Sequence, residues 1–513
     1  MSTPLDAPPA WVADAVFYQI FPDRFARSGQ VPAPGRLEAW DSPPTVHGFK
    51  GGDLYGIVEH LDHLVDLGIT AIYLNPIFSS ASNHRYHTFD YLTVDPLLGG
   101  DAALRALLDA AHARAIRVVL DGVFNHASRG FWPFHHVMEA GRDSPYRDWF
   151  YLHNEDLDAG RPLRAYAGET LANSPNAEWG QAHGAGLESL TTLGYRAWWD
   201  LPALPKLNTD NPVVREYVMG VAEHWTRFGI DGWRLDVPGE ITTPGFWEEL
   251  RERVRSINPD AYIVGEIWQE RADLLDGRTF DGLMNYPLAA AIASYVPGER
   301  LDSRVMAQHA EMERQAQPTD AAGFLDRMSR IIHGYSPSFA RSLLNLLDSH
   351  DTPRFLSWCG GDRTSLRLAW LVLLTMPGAP CIYYGDEIGM TGEMDPGCRG
   401  AFPWDEARWD RDLLGTLRVL TALRHATPAF RGVDVTTLAS DAMAAAYRRG
   451  SGDGSMIVAL NAGESPAELA MLGSADAGLI AVPGLPAPQL SASRDGTLRI
   501  RLPARSGAVV RLG

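Results

Sequence analysis

The chain has 513 residues, 45% of them apolar, with 45 basic against 63 acidic side chains and a formal charge of −18. That length allows a large core and more than one domain, and the acid excess argues against nucleic acid and anionic membrane as partners. The three cysteines, Cys359, Cys381 and Cys398, have no regular spacing; they form neither a disulfide framework nor a zinc site and point to a reducing, cytoplasmic compartment.

The first sixteen residues, MSTPLDAPPAWVADAV, show no basic region and no apolar core of a secretory leader. In chain order, eight short β-rich apolar runs follow: 15–22 (AVFYQIFP), 69–76 (ITAIYLNP), 116–123 (IRVVLDGV), 230–237 (IDGWRLDV), 261–268 (AYIVGEIW), 280–287 (FDGLMNYP), 343–350 (LLNLLDSH) and 380–387 (PCIYYGDE). Helical patterns separate most of them, over 55–68, 101–115, 211–229 and 243–259, the last two opening on capping or Pro-at-start signals. The most apolar stretch, 368–384, is interrupted by Pro377, Gly378 and Pro380 and reads as helix, break and strand, not a membrane span. Any single run also suits a doubly wound open sheet. Eight runs, several ending in an acid, favour a (β/α)8 TIM barrel whose acids converge at one mouth.

Between the third run and the helix opening at Asn211 lie about 85 residues without clean periodicity, too long for an ordinary loop. They carry Phe131, Trp132, Phe134, Trp149, Phe150, Tyr151, Tyr166, Trp179, Trp198 and Trp199. Most of these rings are expected to form the core of an inserted subdomain, with one or two facing a cleft. From Gly432 onward the only aromatic is Tyr447, and short β-like runs alternate with Gly, Pro and Ser turns, the pattern of a separate antiparallel β domain. The expected layout is a barrel from 1–126 and 206–431, an insertion at 127–205 and a C-terminal β domain at 432–513. Lysine occurs only at Lys50 and Lys206, which singles out Lys206 because a compact ammonium is not mimicked by a guanidinium.

Four motifs close the third, fourth, fifth and seventh runs. DGVFNH (121–126) holds Asp121, Asn125 and His126. GWRLD (232–236) sets Arg234 and Asp236 two apart on a strand, hence on one face, where the guanidinium would keep the carboxylate ionised and oriented. GEIW (265–268) puts Glu266 at a strand end with Trp268 beside it; apolar surroundings and a nearby ionised acid would raise its pKa so that it can give up a proton. SHDTPR (349–354) adds His350, Asp351 and Arg354, and Arg354 joins Trp268, Lys206 and Glu240 as a candidate substrate-binding residue. Each motif alone reads as well as a strand end, a turn or a structural ion pair; their shared order and placement make coincidence a poor account. A nucleophile facing a proton donor is the equipment for breaking a glycosidic bond.

With these motifs the chain resembles the α-amylase family of glycoside hydrolases (family 13), from Val16 to Gly513. The resemblance implies Asp236 as nucleophile, Glu266 as general acid and base, and Asp351 as a third acid holding the 2- and 3-hydroxyls of a distorted sugar. It implies His126 and His350 as hydroxyl-binding histidines, Arg234 as the partner of the nucleophile, and Tyr86, in NHRYHTFDY (83–91), as the ring under the sugar. Net retention would follow from carboxyls roughly 5–5.5 Å apart.

LPKLN (204–208), FPDRFA (21–26), GGDLYGI (51–57) and DPGCR (395–399) are similar to signatures of neopullulanases, cyclomaltodextrinases and maltogenic amylases, in which the equivalents of Asp395 and Arg399 hold the next sugar. Several positions depart from that pattern. VPGE (237–240) stands for VANE and alters the acceptor side where Glu240 would sit; Tyr86-His87-Thr88 stands for YDT; and Gln269 follows GEIW. Relatives carry an N-terminal β domain, whereas strand one here begins about fifteen residues in, so a homodimer would not form by N-terminal domain exchange. RSGQVPAPGR (27–36) has no carboxylate, and Asn125 alone falls short of the 6–8 oxygens of a calcium site, so no metal or cofactor is expected.

The resemblance implies a retaining hydrolase with an oligosaccharide substrate, cleaving α-1,4 links in short, cyclic or branched maltooligosaccharides such as cyclic maltosyl-maltose. Two alternatives stay open: a transglycosylase or isomerase on the same machinery, and an inactive carbohydrate-binding protein.

Overall fold

All eight apolar runs become parallel strands in the computed structural model, which describes residues 7–33, 35–166, 188–473, 476–493 and 496–512. They are β1 (Phe17–Ile20), β2 (Ala71–Leu74), β3 (Arg117–Gly122), β4 (Gly232–Leu235), β5 (Tyr262–Gly265), β6 (Gly282–Leu283), β7 (Leu344–Asn345) and β8 (Ala379–Tyr383). The sheet order is β6-β5-β4-β3-β2-β1-β8-β7. A parallel bridge between Met284 and Leu344 joins its two ends, and Asn285 N–H donates to Leu344 C=O at 2.8 Å across that seam. Helices wrap the outside, so the strands are buried on both faces, which is why they read as unbroken apolar runs instead of alternating ones. Gly232 is required where β4 meets β5, because a Cβ there would lie 2.2 Å from Tyr262 O.

The barrel is therefore the (β/α)8 TIM barrel that the spacing predicts. Local differences have local causes. The helix expected over 55–68 is two, Leu54–Glu59 and Leu61–Asp66, parted at His60; the His60 ring stacks on Trp404 at 3.4 Å. The helix expected from 243 opens only at Phe246, because Gly245 has φ +69° and no side chain caps it. By contrast Pro212–Phe228 opens on the expected Asn211 cap, whose side chain accepts from Val213 N–H.

Between β3 and Pro212 the chain leaves the barrel. Phe131, Phe134, Phe150 and Tyr195 form an aromatic core there, with Phe134 4.9 Å from both Phe150 and Tyr195. Trp132 and Tyr166 are exposed, and Trp179 lies outside the described residues. Bridges from His126 to Lys206 and from Phe150 to Leu207 stitch the start of this excursion to its end. Past Gly432 the chain forms antiparallel strands in a five-stranded and a three-stranded sheet. Ile457, Leu469, Leu498, Ile500 and Val510 fill the space between them. This unit docks on the barrel helix Arg363–Thr375, where the Thr375 and Tyr447 hydroxyls meet at 2.7 Å.

Candidate active site

Strand register assembles the acids. Asp121 on β3 pairs with Arg234 on β4, and Leu235 pairs with Gly265 on β5. Asp236 and Glu266 each follow that last pair by one residue, and the ladder continues through Asp236 N–H to Gly122 C=O and Glu266 N–H to Leu235 C=O, 3.1 and 3.0 Å. Neighbouring strands lie about 4.8 Å apart, so the two acids stand side by side. Parity turns Asp121, Arg234, Asp236 and Glu266 inward together.

The Arg234 guanidinium, fully buried, is the hub. Nη1 lies 2.9 Å from Asp121 Oδ1 and 3.0 Å from Asp236 Oδ1, and Nη2 lies 2.9 Å from Glu266 Oε2. Val237 N–H also donates to Glu266 Oε2, at 3.1 Å. Val237 has φ +35°, a strained setting for a β-branched residue. Asp236 Oδ2 is buried and has no hydrogen-bond partner. Three carboxyls around one guanidinium cannot all ionise cheaply. Burial pushes Asp236 well above the usual carboxylate range against the pull of Arg234, and Glu266 adds to the rise. Asp121 is raised by burial too. Arg234 does pull the Asp236 carboxyl toward ionisation, as expected, but burial and the neighbouring acids oppose that pull.

Tyr86 closes the floor. Its hydroxyl donates to Asp121 Oδ2 at 2.8 Å and meets His350 Nε2 at 2.6 Å, and the two rings are parallel at 5.3 Å. Gln19 Nε2 lies 2.9 Å from His350 Nδ1; an amide nitrogen donates, so His350 carries its hydrogen on Nε2. Burial holds His350 neutral, its pKa well below 6.5. Nε2 is also 3.1 Å from Asp351 Oδ2. Asp351 is pushed up to about 7 by burial and then by Glu266, against Arg399 and Arg234. By the same reasoning, Asn125 Nδ2 donates to His126 Nδ1 at 3.3 Å. That leaves a buried, unpartnered N–H at His126 Nε2.

Tyr86, His126, Asp236, Glu266, Trp268, Asp351 and Arg399 line one cavity of about 330 Å³, a volume suited to a small ligand. Other expected residues stand behind that lining. Arg234 and His350 are second-layer supports, fully buried. Asp395 pairs with Arg399 at 3.1 Å, and Arg399 in turn reaches His350 C=O at 2.8 Å and Asp351 Oδ1 at 3.3 Å. Lys206 Nζ donates to Asn125 Oδ1 at 2.7 Å and Glu240 C=O at 2.8 Å, while the Glu240 carboxylate, 3.5 Å away, is 45% exposed. An ammonium thus already sits on the Asn125 oxygen. Burial lowers Lys206 to about 8.

Arg354 requires correction as a substrate-binding residue. Its guanidinium is buried away from the cavity, 2.9 Å from Asp386 and donating to Tyr384 C=O and Cys398 C=O. It braces the Asp351 loop to the segment bearing Arg399.

Sequence reasoning missed His309, Glu311, Arg314 and Met394, which also line the cavity. The first three come from the region between β6 and β7, where the fully buried helix Tyr286–Tyr295 shows no amphipathic period to flag the excursion. Trp198 and Trp199 of the insertion line the cavity as well. Among the described residues no three His, Cys, Asp or Glu side chains converge as a metal site, and no helix is long and apolar enough to cross a membrane.

The model of the α-amylase catalytic domain matches residues 19–416. A cyclomaltodextrinase of Geobacillus thermopakistaniensis is 40% identical over 90% of this chain and 71% of its own length. The solved structure of a debranching enzyme of Nostoc punctiforme is 45% identical, covers 99% of both chains and superposes with a TM-score of 0.85. A cyclic α-maltosyl-(1→6)-maltose hydrolase of Arthrobacter globiformis, solved with that sugar, is 35% identical over 98% of this chain and 99% of its own, with a TM-score of 0.80.

Proposed function

Since the chain belongs to the α-amylase family and is a glycoside hydrolase of α-glucans, we propose that it cleaves α-1,4 bonds of short, cyclic or branched maltooligosaccharides by double displacement with net retention. The observation that carries this reading is the in-register pair Asp236 and Glu266, bridged by one guanidinium, with the unpartnered Asp236 Oδ2 in a cavity that both residues line.

Asp236 Oδ2 attacks the anomeric carbon as Glu266 gives its proton to the departing glycosidic oxygen. The bond to the leaving sugar breaks and a glycosyl ester on Asp236 forms. Glu266, now ionised, takes a proton from water as the water oxygen attacks the same carbon and releases Asp236. The cycle starts with the proton on Glu266 and with Asp236 ionised. Asp351 accepts from hydroxyls of the distorted ring, Tyr86 lies under it, and the spare His126 N–H donates to a further hydroxyl. No metal takes part in this scheme. The three buried thiols, all unpaired, fit work in a reducing cytoplasm.

The end-to-end likeness to the Nostoc debranching enzyme supports a second reading, in which α-1,6 branch bonds are cut as well. Transfer of the glycosyl group to a sugar hydroxyl instead of water is the rival outcome of the same intermediate. One panel separates these: cyclodextrins, pullulan, maltotriose, panose and cyclic maltosyl-maltose, with products resolved by chromatography and the first-formed anomer by NMR. Retained α-anomers and a rise in reducing ends from maltotriose are expected. Inverted products, or rearranged sugars without new reducing ends, would refute the hydrolytic scheme. Glucose released from panose at its α-1,6 bond would establish branch cutting.

A further inference from the structure

Two three-ring stacks contribute to the cavity lining. In one, His126, Trp198 and Trp199 lie nearly parallel, with successive centroids 4.8 and 4.7 Å apart. In the second, Tyr286 lies 3.6 Å from Trp268 at 9°, and His309 lies 4.7 Å from Trp268 at 22°. Two near-parallel rings this close to one indole must occupy opposite faces, since on one face they would overlap. Trp268 is therefore wedged between Tyr286 and His309, and neither of its faces is open to a sugar.

We infer that His309, not Trp268, supplies the ring on which a glucosyl unit beyond the cleaved bond rests, and that it selects longer maltooligosaccharides over short ones. The inference rests on the α-glucan reading above. His309 is half-buried and lines the cavity. It is held over Trp268 from two directions. Its Nδ1 accepts from Met312 N–H at 3.2 Å, capping the helix Ala310–Gln315. Gln315 Nε2 at the end of that helix donates to Trp268 C=O at 3.0 Å. Capping uses the Nδ1 lone pair, so the ring hydrogen sits on Nε2, and burial keeps the imidazole neutral, lowered to about 4. A neutral ring offers an apolar face to the C–H face of a glucose and an N–H to one of its hydroxyls. Glu311 and Arg314, from the same helix, add polar groups to that wall of the cavity.

The test is calorimetric titration of the Asp236→Asn protein, which holds glucan without turnover, with maltose and with maltohexaose. Adding His309→Ala should weaken maltohexaose about tenfold and leave maltose within about twofold. His309→Phe, which keeps a ring face, should restore most of the loss, and Trp268→Phe should cost less than about threefold. Unchanged maltohexaose binding in His309→Ala, equal weakening of both sugars, or a larger loss from Trp268→Phe would overturn the inference while leaving the α-glucan reading intact. Failure of the Asp236→Asn protein to bind either sugar would overturn both.

Discussion

The floor and the walls of the cavity are built in opposite ways. The four charged floor residues lie in the last two positions of a barrel strand or just past its end, and strand register alone brings Asp121, Arg234, Asp236 and Glu266 together. The walls come from excursions far apart in sequence, Trp198 and Trp199 from the insertion and His309 from the β6–β7 connection, and each reaches the barrel end by ring stacking, on His126 and on Trp268. The lesson is a division of labour. A hydrogen-bonded ladder fixes side chains to fractions of an ångström, as bond making demands. Stacked rings on loops can drift in sequence and change which sugar fits without disturbing the chemistry.

If that division holds, the largest effects belong to the floor and should appear in kcat with every substrate. Asp236→Asn removes the attacking oxygen and should lower kcat on maltotriose on the order of 10⁴-fold. The smaller Asp236→Ala, supplied with azide, should yield a glycosyl azide in place of the ester. A rate within tenfold of the parent for Asp236→Asn would strip Asp236 of its role. Next in size is Arg234→Lys. One ammonium cannot reproduce a fork that touches Asp121, Asp236 and Glu266 at once, so kcat should fall on the order of 10²-fold with KM little changed. A loss confined to KM would place Arg234 among the substrate contacts instead of beneath them.

The same contrast explains how much of the fold and site the amino-acid sequence makes legible. The barrel and its acids were legible because each motif is local: an apolar run, then an acid, repeated, with parity and parallel register doing the rest. Arg354 was misread for the same reason. In SHDTPR it looks like one more polar residue of a site loop, and nothing in the string says that it turns under the loop toward Asp386. His309 was invisible because its neighbours in the cavity, Trp268 and Met394, lie 41 and 85 residues away. No periodic signal spans such gaps. Trp268 was singled out from its place after Glu266, but only the structure shows both of its faces covered.

Between floor and walls stands Asp351, held by His350 on one side and Arg399 on the other. Its pKa is raised to about 7, and it must be ionised to accept from sugar hydroxyls. The free-enzyme profile, kcat/KM against pH, should therefore fall as pH drops through about 7. Arg399 is one of the charges holding that value down. Arg399→Met should move the acidic limb upward by roughly half to one unit and lower kcat/KM at pH 6 several-fold. A limb that stays in place would show that another carboxyl of the cluster governs it.

The smallest effect should come from Lys206, which touches neither floor nor walls but ties Asn125 to the Glu240 backbone. Its pKa is lowered from 10.5 to about 8, chiefly by burial, with Glu240 opposing. A depressed lysine holds its proton less tightly folded than unfolded, so from about pH 8 toward 10.5 the unfolded chain binds more protons. Stability should rise with pH across that window, set against the decline from other groups. Lys206→Met lacks this contribution and leaves the buried Asn125 Oδ1, with the Glu240 carbonyl, without its donor. It should melt lower than the parent at pH 7, and by a wider margin at pH 10. Its kcat on maltotriose should stay within about fivefold, since nothing on the floor moves. Melting curves at the two pH values decide the matter: a margin that narrows toward pH 10 would mean that the Lys206 charge stabilises the fold, and that burial is not what sets its pKa.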